Sequence, residues 1–294
     1  MQLTSLGHRP LLAAVVTPLT DDGASVDLAA VAAYVAFLAS HGADGVFCCG
    51  TTGEGVLLTL DERQEVAQAY RHALSGPLVV HAGCQTTADT VALAEHAREI
   101  GADAVAVIPP PYFPLDADAL TEHFVSAARA CSPLPFYCYA FAARSGYPLP
   151  PDVIRRIGAR VDNLAGLKVS ESPFERVAPY LELGLPVLIG NEPLIADGIR
   201  AGALGTVSGM AAAFPDVVRS ALDAPDDESM ERLRGLRGAL EASGQFIAAA
   251  KHAIGLRSVP VGPAMRAPLR RLSAEEASTL EASLDPFMAV RPTA

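Results

Sequence analysis

The amino-acid sequence predicts an α/β fold, a closed (β/α)8 TIM barrel with additional C-terminal helices. Short apolar runs alternate eight times with longer segments of helical periodicity. The apolar runs are continuous, which is typical of parallel strands that are covered on both faces. A chain of 294 residues, half of them hydrophobic, is long enough for such a barrel. A doubly wound open sheet is the main alternative, and the absence of a GxGxxG motif after the first strand disfavours dinucleotide binding by such a sheet.

The predicted elements follow one another in regular order. The strands are Leu11–Val16, Gly45–Cys49, Pro77–His81, Ala104–Ile108, Leu134–Tyr139, Leu164–Lys168, Pro186–Ile189 and Gly205–Val207. The helices are Val26–Ser40 with Asp27 as a candidate N-cap, Leu60–Leu74, Thr87–Ile100, Asp116–Ala130, Pro151–Gly158, Pro173–Glu182, Pro193–Ala201 and Ala211–Leu222. We expect residues 1–222 to form the barrel and residues 223–294 a helical extension packed on it, with a loosely held tail at 291–294.

The composition argues against several classes of protein. The 22 basic and 33 acidic residues give a net charge of −11, which disfavours a nucleic-acid-binding surface. Five cysteines without CxxC spacing and seven dispersed histidines disfavour a disulfide framework or a metal site, and His81 fits a core histidine best. We find neither the pattern of a signal peptide nor an apolar run that could span a membrane. The expectation is a cytoplasmic protein without a metal or other cofactor.

Lys168 is conspicuous because lysine is rare in this chain. Only Lys168 and Lys251 are lysines, and arginine supplies the remaining basic side chains. Lys168 ends the predicted strand Leu164–Lys168, where apolar surroundings would favour the neutral amine. A neutral amine can attack a ketone and form a Schiff base. On this segment alone, a surface lysine at the end of a strand is the simpler interpretation.

Two of the loops that follow predicted strands carry further candidate groups, because the chemistry of (β/α)8 barrels takes place at the C-terminal ends of the strands. The sequence GTTGEG follows the second strand, and its backbone N–H groups with the hydroxyls of Thr51 and Thr52 can cradle a carboxylate. A plain tight turn is the alternative. The sequence PPPYFP follows the fourth strand and can hold Tyr112 in a fixed place, although Tyr112 also fits an aromatic plug at the barrel rim.

Three more strands end at the same predicted mouth. Tyr139 ends the fifth strand and can pass a proton, and Arg144 can hold a carboxylate or hydroxyl of an acidic substrate. A core tyrosine and a solvent-exposed arginine are the alternatives. Gly190 and Val207 mark substrate-binding positions at the seventh and eighth strands. Glu192 is a candidate catalyst, although an acid at a helix N-terminus is the simpler interpretation.

Five motifs carry a family resemblance in their order along the chain. AVVTPL, GTTGEG, PPPYF, YAFAARSG and GLKVS occur between about Leu11 and Gly209. Together they resemble the dihydrodipicolinate synthase/N-acetylneuraminate lyase family. The resemblance implies a (β/α)8 barrel, a homo-oligomer that is a dimer or a tetramer of tight dimers, and a Schiff base between the barrel lysine and pyruvate or another 2-keto acid.

The resemblance also assigns roles to the candidate residues. It implies that Lys168 forms the Schiff base and that Thr51 and Thr52 bind the carboxylate of the 2-keto acid. Thr52 and Tyr139 would carry protons. The relay would be completed by Tyr112, which reaches across a dimer interface in the family. Arg144 would meet the carboxylate of the second substrate.

The chain also departs from the family pattern. The usual Tyr-Asn-[Val/Ile]-Pro is Tyr139-Ala140-Phe141-Ala142, and Leu60 and Arg63 replace histidines that are typical of lysine-inhibited synthases. Arg144 disfavours a typical N-acetylneuraminate lyase. We therefore predict a carbon–carbon or carbon–oxygen lyase, an aldolase or dehydratase acting on pyruvate or a 2-keto-3-deoxy acid with an aldehyde or sugar-acid partner. The alternatives are a 4-hydroxy-tetrahydrodipicolinate synthase without lysine feedback, which would condense pyruvate with aspartate semialdehyde, and a non-catalytic 2-keto acid-binding protein.

Overall fold

Eight parallel strands close into a barrel in which neighbours follow chain order. The structure is a computed structural model that describes residues 3–288, so the expectation of a loose tail at 291–294 lies outside the described residues. The strands are β1 Leu11–Ala14, β2 Gly45–Cys48, β3 Leu78–His81, β4 Ala104–Val107, β5 Phe136–Ala140, β6 Leu164–Val169, β7 Val187–Ile189 and β8 Gly205–Ser208. The predicted (β/α)8 fold is confirmed, because β8 pairs with both β7 and β1.

Helices cover the outside of the barrel. They are α1 Val31–Ser40, α2 Leu60–Ala73, α3 Thr87–Glu99, α4 Ala117–Cys131, α5 Ala142–Ser145, α6 Pro151–Gly158, α7 Phe174–Leu181, α8 Ile195–Arg200, α9 Pro215–Asp223, α10 Asp227–Glu241, α11 Phe246–Leu256 and α12 Ala274–Met288. Four predicted helices begin with a 3₁₀ turn or follow one closely. Asp27 caps such a turn at Leu28–Ala30, where its carboxylate accepts the N–H of Ala29.

The strands present their side chains alternately to the barrel interior and to the surrounding helices. The inward set is largely apolar and aromatic, and it fills the barrel as a packed core rather than a pore. It consists of Leu12, Ala14, Phe47, Val79, Ala104, Ala106, Ile108, Tyr137, Tyr139, Leu188 and Val207. Functional side chains therefore have room only at the mouth, where the C-terminal ends of the strands meet.

Helices α10 to α12 form the C-terminal extension. Leu233, Leu236 and Leu240 of α10 are fully buried and belong to the same core as the barrel helices. A division of the chain at residue 222 stays a prediction, since the extension and the barrel share this core. Within residues 3–288, no helix is both long and apolar enough to cross a membrane.

Candidate active site

The amine of Lys168 lies between two aromatic rings inside the mouth. Its Nζ is 4.0 Å from the ring centroid of Phe47 and 4.1 Å from that of Tyr139, and only 5% of the residue is exposed. The other lysine, Lys251, instead forms a buried ion pair with Glu54. Of the two lysines, Lys168 is therefore the one whose amine faces the site without a carboxylate ion-paired to it in the described part of the chain.

Tyr139 lies directly opposite Lys168 on the neighbouring strand. The two residues are register partners between β5 and β6. The Tyr139 ring is buried and stands nearly perpendicular to the rings of Phe47 and His81, at 6.0 and 5.9 Å. Within residues 3–288 no direct hydrogen bond joins Tyr139 to Thr52. The Tyr139 ring contacts the lysine amine through its face.

Gly190 gives the lysine side chain its space. A Cβ at this position would lie 2.0 Å from Oγ of Ser170 and 3.3 Å from Cε of Lys168. Any larger residue would therefore displace one of these two side chains. Val207 is buried on β8 and contributes to the apolar barrel interior. Both predicted substrate-binding positions thus belong to the mouth, Gly190 in contact with the lysine and Val207 in its apolar wall.

The GTTGEG loop folds as a compact turn at the end of β2. The Glu54 N–H donates to the carbonyl of Thr51 at 3.1 Å, and the hydroxyl of Thr17 donates to the carbonyl of Gly53 at 2.7 Å. A Cβ on Gly209 would lie 3.1 Å from Oγ1 of Thr52, which brings the Thr52 hydroxyl to the end of β8. The loop is a tight turn whose Thr52 hydroxyl lies near the end of β8, and its role as a carboxylate cradle stays a prediction.

Arg144 lies on the four-residue helix α5, which periodicity cannot reveal because the segment is only about one turn long. Its guanidinium is exposed and lies 5.8 Å from the ring centroid of Phe141, whose ring is 6.1 Å from that of Tyr139. The carboxylate of Glu171 accepts the N–H of Ala142 at 2.7 Å and so fixes the start of α5. Glu171 was missed by the sequence reasoning, and its position three residues after Lys168 is the only signal for it.

Tyr112 is exposed to solvent in the single chain. It is 81% exposed, its φ of 86° is in the left-handed region, and its ring packs edge-on against that of Phe113, which is 71% exposed. Left-handed backbone is rare for aromatic residues and indicates a constrained loop. Within residues 3–288 the structure shows no contact between Tyr112 and Lys168, and a ring that is 81% exposed does not favour an aromatic plug at the barrel rim.

His81 lies in the barrel interior beside the rings of Phe47 and Tyr139. Its Nδ1 lies 3.1 Å from the carbonyl of Cys49, and its Nε2 is buried without a partner in the described part of the chain. Burial, together with the positive charges of Arg63 and Lys168, holds the pKa of His81 well below its usual range. His81 is therefore a neutral core histidine next to the mouth.

Both carboxylate oxygens of Glu192 accept hydrogen bonds from neighbouring elements. Its Oε1 accepts the hydroxyl of Ser208 at 2.7 Å and the N–H of Met210 at 3.1 Å, and Oε2 accepts Nη1 of Arg237 at 2.6 Å. Arg237 belongs to α10, so this carboxylate ties the C-terminal extension to the ends of β7 and β8. Among the described residues, no three His, Cys, Asp or Glu side chains converge as a metal site would require.

The arrangement matches a known family. The family model described as the Dihydrodipicolinate synthetase family matches residues 8–286. The chain belongs to this family. The resemblance inferred from the five motifs is confirmed, and it extends beyond the barrel into the C-terminal helices.

Members of the dihydrodipicolinate synthetase family resemble the chain over nearly its full length. An uncharacterized DapA-like lyase of Halobacterium salinarum is 36% identical over 292 residues, which cover 95% of this chain and 94% of the relative. A 4-hydroxy-tetrahydrodipicolinate synthase of Alkalilimnicola ehrlichii is 32% identical over 285 residues, with 93% and 96% covered. The solved structure of Proteus mirabilis N-acetylneuraminate lyase has a TM-score of 0.85 and 28% identity, covering 95% of this chain and 98% of that one. The protein is therefore a lyase of the dihydrodipicolinate synthase/N-acetylneuraminate lyase type.

Proposed function

We propose that this lyase forms an iminium between Lys168 and pyruvate or another 2-keto acid, and acts as an aldolase or a dehydratase. The observation that carries the proposal is the position of the Lys168 amine, buried between the rings of Phe47 and Tyr139 at the mouth of the barrel. Gly190 leaves space beside this amine. The compact GTTGEG loop, which contains two threonines, follows strand β2 of the same barrel.

The chemistry follows from what an iminium does. The neutral amine attacks the keto carbon, and the resulting carbinolamine loses water to give the iminium. The iminium then accepts the electron pair that is released when the carbon next to the former keto carbon loses a proton, or when the bond from that carbon to the following carbon breaks, and an enamine results. We assign the proton transfers to the Tyr139 hydroxyl with Thr52. Addition of water to the final iminium releases the product and regenerates Lys168.

The loop and Arg144 supply the charge complementarity for an acidic substrate. The hydroxyls of Thr51 and Thr52, with the backbone N–H groups of the loop, would bind the carboxylate of the 2-keto acid. Arg144 is exposed at the rim and would hold a carboxylate or hydroxyl of the second substrate. Ala140, Phe141 and Ala142 stand where the family usually has Asn, Val or Ile, and Pro, and this change in the loop that faces the second substrate favours an aldolase or dehydratase over the synthase.

We further propose that the site is completed by a second copy of the chain. Tyr112 and Phe113 present exposed aromatic rings on a constrained loop, which is typical of a surface that another protein covers. Tyr112 would then enter the partner's mouth and extend the proton relay from Tyr139. The protein would act as a homodimer or as a tetramer of such dimers.

Borohydride reduction in the presence of pyruvate tests the central proposal. Reduction of the iminium leaves an adduct with the mass of one pyruvic acid less one oxygen atom. We expect peptide mapping to find it on Lys168, and Lys251 serves as the internal control because its amine is paired with Glu54. Lys168→Ala should abolish the adduct. An unchanged protein mass in the wild type would contradict the proposal, and binding of pyruvate without an adduct would support a non-catalytic binding protein.

A 4-hydroxy-tetrahydrodipicolinate synthase without lysine feedback is the second candidate. Arg144 favours it, as does the similarity to relatives that carry this name. Turnover of pyruvate with aspartate semialdehyde would support this candidate. Pyruvate release or dehydration in a panel of 2-keto-3-deoxy acids, without synthase turnover, would remove it.

A further inference from the structure

Lys251 reaches from the C-terminal extension into the back of the GTTGEG loop. Its side chain and that of Glu54 are both 0% exposed, and Nζ donates to Oε1 of Glu54 at 2.5 Å and to the carbonyl of Ala264 at 2.7 Å. The other carboxylate oxygen of Glu54 accepts the N–H of Arg266 at 2.8 Å. Both oxygens of Glu54 are therefore held by the extension, one by α11 and one by the segment that follows it.

Glu54 is part of the loop that carries the two threonines. Its N–H donates to the carbonyl of Thr51, and its carbonyl accepts the N–H of Leu57 at 2.8 Å. Its φ of 55° is in the left-handed region, a backbone conformation that is energetically unfavourable for residues other than glycine. A strained backbone of this kind persists only where surrounding contacts hold it in place. The hydrogen bonds of Glu54 with Lys251 and Arg266 are such contacts.

A second contact from the same segment reaches the first turn of α2. The guanidinium of Arg266 donates to Oε1 of Glu62 at 2.6 Å. Glu62 and Thr59 form the capping box that starts α2, because each side chain accepts the backbone N–H of the other residue. The extension therefore contacts Glu54 in the GTTGEG loop and Glu62 in the first turn of α2.

We propose that the Lys251–Glu54 pair is a positioning device through which the C-terminal extension fixes Thr51 and Thr52 for binding the carboxylate of a 2-keto acid. The inference rests on the proposed function. It makes the extension part of the functional site, although neither residue of the pair touches the substrate. Stability alone does not account for the pair, because apolar residues of similar volume often replace a buried ion pair without loss of stability.

The double variant Glu54→Gln/Lys251→Met separates positioning from folding. It removes both charges together, so no unpaired charge is left in the core. The measurement is borohydride trapping of pyruvate on Lys168, which yields a half-saturating pyruvate concentration and a limiting rate without knowledge of the second substrate. We expect the half-saturating concentration to rise about tenfold or more and the limiting rate to stay within about threefold of the wild type, because ground-state binding is lost while Lys168 and Tyr139 are untouched.

The pair Arg257–Asp216 provides a matched control. Arg257 follows α11 and donates to Asp216 of α9 at 2.7 Å, without a contact to the loop. Asp216→Asn/Arg257→Met should lower the thermal stability and leave the half-saturating concentration unchanged. If the first double variant does not fold, Glu54→Gln alone keeps an amide oxygen as acceptor for Lys251 and should raise that concentration several-fold.

The outcomes distinguish this inference from the proposed function. Trapping in the wild type with an unchanged half-saturating concentration in the folded Glu54 variants would overturn the inference and leave the Schiff base intact. A fall confined to the limiting rate would also overturn it, since the pair would then not act on binding of the carboxylate. Absence of trapping in the wild type would instead contradict the proposed function itself.

Discussion

Lys168 and Tyr139 are register partners on adjacent strands, and the lysine Nζ lies 4.1 Å from the centroid of the tyrosine ring. The amine therefore rests on the face of the ring, whereas the hydroxyl is at the far edge of the same ring. A cation or a polarised N–H group is favoured on such a face. The proposed mechanism thus gives Tyr139 two separable roles, in which the ring positions the amine and the hydroxyl transfers protons.

Tyr139→Phe should separate these roles. The ring stays in place, so we expect pyruvate still to be trapped on Lys168 by borohydride. Turnover should fall about 10²- to 10⁴-fold, because a positioned proton-transfer group contributes about that much. Tyr137→Phe is the matched control on the same strand and the same inward face, and it should leave turnover unchanged. Turnover of Tyr139→Phe within a few-fold of the wild type would exclude the hydroxyl as the main proton carrier.

Gly190→Ala should slow adduct formation on Lys168 by crowding its side chain. The new Cβ would lie 2.0 Å from Oγ of Ser170 and 3.3 Å from Cε of Lys168, so one side chain must move. We expect the rate of pyruvate trapping to fall about 100-fold, which is typical of a misplacement by about 1 Å in an active site. Circular dichroism and thermal unfolding would confirm that the variant is folded.

Two further variants test the steric origin of the Gly190→Ala effect. Adding Ser170→Gly removes the closest atom and should restore part of the trapping rate. Gly238→Ala on α10 is the control, because its Cβ would meet nothing within 4 Å. Normal trapping in Gly190→Ala, or no gain from Ser170→Gly, would show that the space beside Lys168 does not limit adduct formation.

The role of Tyr112 across an interface can be tested with mixed oligomers. Lys168→Ala subunits lack the amine, and Tyr112→Phe subunits lack the rim hydroxyl. Co-expression with two affinity tags would yield oligomers that contain both. If Tyr112 acts across the interface, the Tyr112→Phe subunit has its own Lys168 and receives an intact Tyr112, so turnover per such site should return to the wild-type value. Turnover no higher than that of the Tyr112→Phe homo-oligomer would show that Tyr112 acts within its own chain or not at all.

The fold and the family could be predicted from the sequence because their signals are local. Continuous apolar runs predicted all eight strands, and the rarity of lysine drew attention to Lys168. Helix α5 escaped prediction, because four residues contain too little periodicity to be recognised. The 3₁₀ turn at Leu28–Ala30 was predicted as part of the helix Val26–Ser40, because an apolar repeat does not distinguish a single 3₁₀ turn from the first turn of an α-helix.

The contacts that hold the site could not be predicted, because they join distant parts of the chain. Lys251 and Glu54 are 197 positions apart, and Arg237 and Glu192 are 45 positions apart. The spacing along the chain does not identify either pair as interacting residues. The partners come together only when the barrel closes and the extension docks on it. The C-terminal helices were therefore predicted as an outer layer, whereas two of their side chains hold loops of the mouth.

A buried histidine should make the stability depend on pH. His123 of α4 is buried, its Nδ1 lies 2.9 Å from the hydroxyl of Thr87, and burial lowers its pKa to about 4 from 6.5. Between these values the unfolded chain binds more protons than the folded protein, so this contribution to stability is present above pH 6.5 and is lost as the pH falls toward 4. A shift of this size corresponds to at most about 3 kcal/mol.

His123→Asn should remove this contribution, because the amide cannot titrate and can still hydrogen-bond to Thr87. We expect the variant to lose less stability than the wild type when the pH is lowered from 7 to 4.5, as measured by urea unfolding at fixed ionic strength. His72→Asn is the control, since His72 is exposed on α2 and its substitution should leave the wild-type pH profile unchanged. Parallel profiles for the wild type and His123→Asn over this range would mean that His123 already binds a proton in the folded protein near its ordinary pKa, and that its burial does not govern the acid sensitivity.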